Sequence, residues 1–176
     1  MTNAETHDQA NWVGAAYQAP TRMFSANLSG RTLRQIVHLH AGGEQLRLHL
    51  SNRYGDAPVA LSSISVGQVL QGPAVSPGAQ AVRFAGHEMV TLEPGQEVVS
   101  DPVALRVKAF SDLAITFFLA QGESLTGHTG AQQLSYVSGI GEVTAVPIEA
   151  TFFAYPLLTS AWWLITGIDV LPREPF

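Results

Sequence analysis

Short runs of alternating apolar and polar residues cover most of this 176-residue chain, and a helical repeat is nearly absent. Glycine, proline, asparagine and aspartate separate the runs, as turn-forming residues do. The pattern predicts strands at Trp12–Tyr17, Thr32–His40, Gln45–Leu50, Val59–Val69, Ala81–Phe84 and Met89–Leu92. It continues with Glu97–Ser100, Val103–Val107, Leu113–Leu119, Gln132–Val137, Glu142–Val146 and Ala161–Leu171. Many short strands at such spacing indicate an all-β protein, an antiparallel β-sandwich or barrel.

Local pattern sharpens three places. Ala41-Gly42-Gly43-Glu44 reads as a two-residue hairpin turn, since glycine accepts positive φ at either central position. That register places Val37 opposite Leu48 and Leu39 opposite Leu46 on a core face, with His38 opposite Arg47 and His40 opposite Gln45 outside. Leu113–Leu119 reads as a central strand covered on both faces, entered through a turn at Ser111-Asp112. Val98–Ser100 reads as a strand closed by Asp101-Pro102, because proline cannot donate to a ladder. Residues 1–11 lack apolar pattern and are expected to form a loose arm. Residues 12–171 are expected to form one sandwich domain, and 172–176 a tail or the start of a linker.

Composition then narrows the function classes. Charged residues make up 13% of the chain, against about 25% in an average soluble domain. Low charge at this size implies an exterior unusually rich in Ser, Thr, Gln and Gly, or one partly covered by another protein surface, and a mixture of both is expected. A net charge of −5, a single lysine (Lys108) and scattered arginines argue against nucleic acid, which needs clustered cations. With no cysteine, neither a disulfide framework nor a thiolate metal site is available. Residues 1–8 do not resemble a secretory signal, which leaves the compartment open. Ala150–Ile168 is uncharged and long enough to span a bilayer, but Pro156, Thr159, Ser160, Thr166 and Gly167 break it, so no membrane span is expected.

Candidate chemistry is sparse. His38, His40 and His49 share a region of one sheet face in the hairpin register, and three imidazoles are able to hold zinc. Arg47 among them opposes a cation, and no cofactor or metal is expected. No Gly-x-Ser-x-Gly, no Gly-Asp-Ser and no Asp-x-x-His occurs, so the parts of a serine hydrolase are missing from the chain. Three features suit binding instead. Asn52 and Tyr54 sit in the turn-rich Leu50–Pro58 stretch, and His128, Gln132, Gln133 and Tyr136 cluster downstream. Phe152, Phe153, Tyr155, Trp162 and Trp163 form an aromatic run able to stack on sugars, cover a partner or fill a core.

Several blocks in order carry a family resemblance. Thr32-Leu33-Arg34-Gln35-Ile36-Val37-His38 is followed by Arg47-Leu48-His49-Leu50-Ser51-Asn52-Arg53-Tyr54-Gly55. Val98–Val103, Ser111–Ala114 and Thr166–Val170 come next, the last within Ser160–Pro172. Together they resemble the β-domain that precedes the catalytic domain in a group of bacterial SGNH (GDSL-type) ester hydrolases. The resemblance implies a jelly-roll-like sandwich packed on a flavodoxin-like hydrolase domain whose substrates include acylated sugars, xylan acetates and lipid or aryl esters. It implies an accessory role for this chain, not an enzyme by itself, with that hydrolase domain as partner in cis or in trans. A free-standing carbohydrate-binding module and a self-associating structural domain are the alternatives. Pro147–Ser160 is longer and more aromatic than the family pattern.

Overall fold

A computed structural model describes residues 11–23, 27–123, 125–141 and 157–173. The described residues are all-β, in antiparallel sheets that face each other as a sandwich. One sheet has the order β1 (Val13–Tyr17), β15 (Ile165–Leu171), β4 (Gln45–Ser51), β9 (Glu97–Val99). The larger sheet runs β13 (Leu157–Thr159), β12 (Ser135–Ile140), β3 (Arg31–Leu39), β10 (Ser111–Gln121), β5 (Val59–Gln71), β6 (Ala74–Val75). Within it, β7 (Gln80–Ala81) and β8 (Val90–Leu92) also pair with β5. A small third sheet joins β14 (Trp162–Trp163), β11 (Thr126–His128) and β2 (Thr21–Arg22).

The period-two pattern explains the core. Leu33, Val37 and Leu39 of β3, Leu113, Ile115, Phe117 and Leu119 of β10, and Leu46, Leu48 and Leu50 of β4 are all fully buried in one cluster. Ile168 and Val170 of β15 complete it from the smaller sheet. A second, smaller cluster of Ile36, Val75, Ala114 and Tyr136 covers the outer face of β3 and β10. Leu113–Leu119 is therefore central and covered on both faces, as its apolar run predicts.

The hairpin expected at Gly42-Gly43 does not form. β3 pairs with β10 and β12, while β4 pairs with β15 and β9, so residues 40–44 cross from one sheet to the other. Val37, Leu39, Leu46 and Leu48 do face a common core, but across the sandwich and not along a shared ladder. The glycines serve close approach, not positive φ. A Cβ on Gly43 would lie 2.4 Å from the Leu171 carbonyl oxygen, and one on Gly42 would lie 2.7 Å from the Ala109 nitrogen. Gly43 exchanges backbone hydrogen bonds with Val107, and the Glu44 N–H donates to the Leu171 carbonyl.

Two further expectations change in detail. Ser111 and Asp112 lie inside β10, where Asp112 pairs with His38. The single strand expected over Ala161–Leu171 is interrupted at Leu164, whose φ is +67°. That left-handed residue hands the chain from the small sheet to the four-stranded one, a strain of about 1–2 kcal/mol for a side-chain-bearing residue. Complete burial of the Leu164 side chain offsets it. The Leu164 N–H donates to the Thr126 carbonyl, and its own carbonyl accepts from the Ser51 N–H.

No helix among the described residues is long and apolar enough to cross a membrane. Of the expected arm and tail, only Asn11, Pro172 and Arg173 are described, and the strand expected at Glu142–Val146 lies outside the described residues.

Candidate functional site

The outer face of β15 presents Asp169, and its neighbours converge on that carboxylate. Pairing sets Asp169 beside Arg47 of β4 and Gly14 of β1, while Gly167, two residues earlier, pairs with His49 and Tyr17. The Tyr17 ring lies over Gly14 and Gly167, where a Cβ would come within 2.9 Å and 2.5 Å of ring carbons. From there the Tyr17 hydroxyl donates to Asp169. Arg47 Nε donates to the same carboxylate at 2.7 Å, and His49 Nε2 lies 2.8 Å from it and 3.2 Å from the Tyr17 oxygen. Trp12 covers the Arg47 guanidinium at 4.6 Å from its ring centroid, a cation–π contact.

Burial and partners set the acidity of this group. The Asp169 side chain is only 6% exposed. Burial alone would raise its pKa, but hydrogen bonds from Tyr17, His49 and Arg47 outweigh that and hold the carboxyl below its usual value. Burial, then the bond to Asp169 and its charge, push the Tyr17 phenol up to about 12, with Arg47 opposing.

A second imidazole–carboxylate pair stands in the larger sheet. His38 Nδ1 is 2.8 Å from Asp112, the cross-strand partner on β10, with both side chains about two-fifths exposed. The His40 ring meets the His38 ring edge-on at 5.4 Å and the exposed Phe110 ring at 6.4 Å. His38 and His40 form one wall of a cleft of about 490 Å³ that Tyr17, Gln18, Gln132 and Gln133 also line. That volume lies in the ordinary range for small-molecule sites, about 300–1,000 Å³.

Trp162 closes the cleft from below and is itself buried. Its indole Nε1 donates to the Ile36 carbonyl, and β14 is held by Gln35, whose amide accepts from the Trp163 N–H and donates to the Trp163 carbonyl. A buried glutamine thus replaces a strand partner. Gln132 in the cleft wall has φ +57°, a left-handed conformation uncommon for a residue with a side chain.

The expected residues separate under this geometry. The three-histidine cluster does not exist: His38 and His40 line the cleft, whereas His49 belongs to the Asp169 cluster on the other sheet. Among the described residues no group of three or more His, Asp and Glu is placed to hold a metal. Asn52 is fully buried and organises its turn, donating to the Ala57 and Leu92 carbonyls and accepting at its backbone oxygen from Gly55 and Gly95. Tyr136 is buried in the outer-face cluster, where burial raises its pKa. Neither is open to a ligand.

Tyr54 is half-buried, its N–H donating to Thr126 Oγ1 and its ring beside Arg53. His128 pairs with Trp162 across β11 and β14 and donates through Nδ1 to the Ala19 carbonyl. Of the expected binding residues that are described, Gln132, Gln133 and Trp162 line the cleft. Phe152, Phe153 and Tyr155 lie outside the described residues.

Tyr17, Gln18, Asp112 and Asp169 carry the geometry without being evident in the sequence as site residues. Among the described residues no serine or threonine hydroxyl is hydrogen-bonded to the imidazole of His38 or His49; their side-chain partners are Asp112 and the Asp169–Tyr17 pair. A scan against protein-family models finds no match for this chain, and a search of the curated proteins finds none either, so the likeness to the SGNH-associated sandwich rests on its residue blocks.

Proposed function

We propose that this chain is a non-catalytic companion domain of an SGNH-type ester hydrolase, one that docks on the hydrolase domain and helps wall its substrate cleft. One observation carries the reading. Residues from separate blocks of the resemblance meet through their side chains: Asp112 of the fourth block binds His38 of the first. Likewise Asp169 of the fifth block takes hydrogen bonds from Arg47 and His49 of the second. Blocks scattered along the chain thus meet in two sets of cross-strand contacts, the first block with the fourth and the second with the fifth, which supports reading them as parts of one structural pattern.

Surface composition supports a docking role. Phe110 and Ile140 are about three-quarters exposed, and Tyr17, Leu70 and Met89 are more than half exposed, on a protein with few charges. Large exposed apolar side chains are favourable where a partner removes them from water. The test is sedimentation of this chain mixed with the hydrolase domain that follows such a sandwich. A complex at micromolar concentration, burying more than about 1,000 Å² of surface, is expected. Independent sedimentation of the two would refute the proposal.

A further inference from the structure

We infer that the cleft between the ends of β1 and β3 is a binding site for a neutral, hydroxyl-rich ring such as a pyranose unit of an oligosaccharide, read by Tyr17, Gln18, His38, His40, Gln132 and Gln133. This goes beyond the companion role and holds whether or not a hydrolase domain stands beside the sandwich.

The lining chemistry selects the ligand class. A sugar hydroxyl both donates and accepts, and the three glutamine amides of the cleft offer both functions. His38 spends Nδ1 on Asp112, which leaves Nε2 as its free ring nitrogen, and a hydroxyl, able both to donate and to accept, pairs with it in either role. An anion only accepts. It would use only the N–H half of the glutamine amides and would face the Asp112 carboxylate, held 2.8 Å from the imidazole. A dication would need convergent carboxylates, which this wall does not provide among the described residues.

Shape and rigidity agree with this selection. Tyr17 is 57% exposed yet fixed at its hydroxyl by Asp169 and under its ring by Gly14 and Gly167. It is an exposed aromatic platform that loses little freedom on stacking, the arrangement that favours a flat apolar sugar face. On the facing wall, Gln132 holds a left-handed backbone, a strain of the kind that concentrates at ligand sites. Trp162 at the base places an indole reporter against the ligand.

The experiment titrates the chain with xylotetraose, cellotetraose and mannotetraose up to about 10 mM, a range that detects weak sites. Heat and tryptophan emission are followed, with sodium phosphate at matched ionic strength as the anionic probe. At least one sugar is expected to bind saturably and to shift the amide resonances of Gln18, His38, His40 and Gln132 in the wild-type spectrum. Gln132→Gly, which suits the left-handed backbone, and His40→Ala on the exposed rim are each expected to weaken binding at least about fivefold. Absence of saturable binding by every sugar would overturn the inference. So would shifts confined to residues outside the cleft, phosphate binding tighter than any sugar, or unchanged affinity in both variants.

Discussion

The two imidazole–carboxylate pairs among the described residues look alike as residue types and differ in everything that decides their role. Asp169 is buried, takes hydrogen bonds from Tyr17, Arg47 and His49, and ties three strands together. Asp112 is two-fifths exposed and serves one histidine at the edge of a cleft. A buried carboxylate is tolerable only when its lone pairs are satisfied, so the first cluster is committed to the fold. The second keeps an imidazole nitrogen and a solvent path, so it is free to meet a ligand. The number of donors around the carboxylate separates structure from recognition.

Removing the carboxylates should break this comparison most sharply. Asp169→Asn leaves Arg47 and His49 partly buried without a full counter-charge, and a loss of about 2–3 kcal/mol in urea unfolding is expected. That figure lies below the range for fully buried pairs because Arg47 and His49 remain 30% and 24% exposed. Gly167→Ala should follow, at about 1–2 kcal/mol, because its Cβ would displace the Tyr17 ring from the carboxylate. Asp112→Asn should cost less than about 1 kcal/mol, as exposed ion pairs do. Should Asp112→Asn prove the more damaging of the two carboxylate variants, the division of roles would fail.

The pH dependence sharpens the same contrast. Because the folded Asp169 carboxyl sits below its unfolded value, its contribution is complete above the ordinary carboxylate pKa and is lost as pH falls through the depressed folded value. Acid unfolding of wild type, followed by circular dichroism, should therefore be steeper than that of Asp169→Asn. Tyr17 works in the opposite sense. Its folded pKa is raised from 10.0 to about 12, so its contribution is present below 10 and disappears as pH rises through about 12. Tyr17→Phe should remove that alkaline loss and, by deleting one of the bonds that hold the Asp169 carboxyl low, make the acid limb shallower, though less so than Asp169→Asn does. Half exposure of the Tyr17 side chain keeps this the smallest of the expected effects.

Face assignment was legible in the sequence, and pairing was not. Val37, Leu39, Leu46 and Leu48 alternate identically whether β3 and β4 share a ladder or face each other across a core, since both arrangements bury the same sides. Gly42-Gly43 favours a turn and equally permits the tight crossing against Val107, Ala109 and Leu171 that is found. Trp162 is buried at the base of the cleft, and Asn52 and Tyr136 are packing residues. Asp112 read as a turn residue because its meaning comes from His38, 74 positions earlier in the chain. Tyr17 had no signal beyond a strand end, because its position depends on two distant glycines and Asp169.

Hydrolysis of acetylated xylan and p-nitrophenyl acetate by the purified chain alone decides whether bond-breaking chemistry resides in this sandwich. No saturable turnover is expected, with release no faster than an unrelated protein of equal concentration gives. Saturable turnover that disappears in His38→Ala or His49→Ala would contradict it, and would make one of these imidazoles a catalytic base.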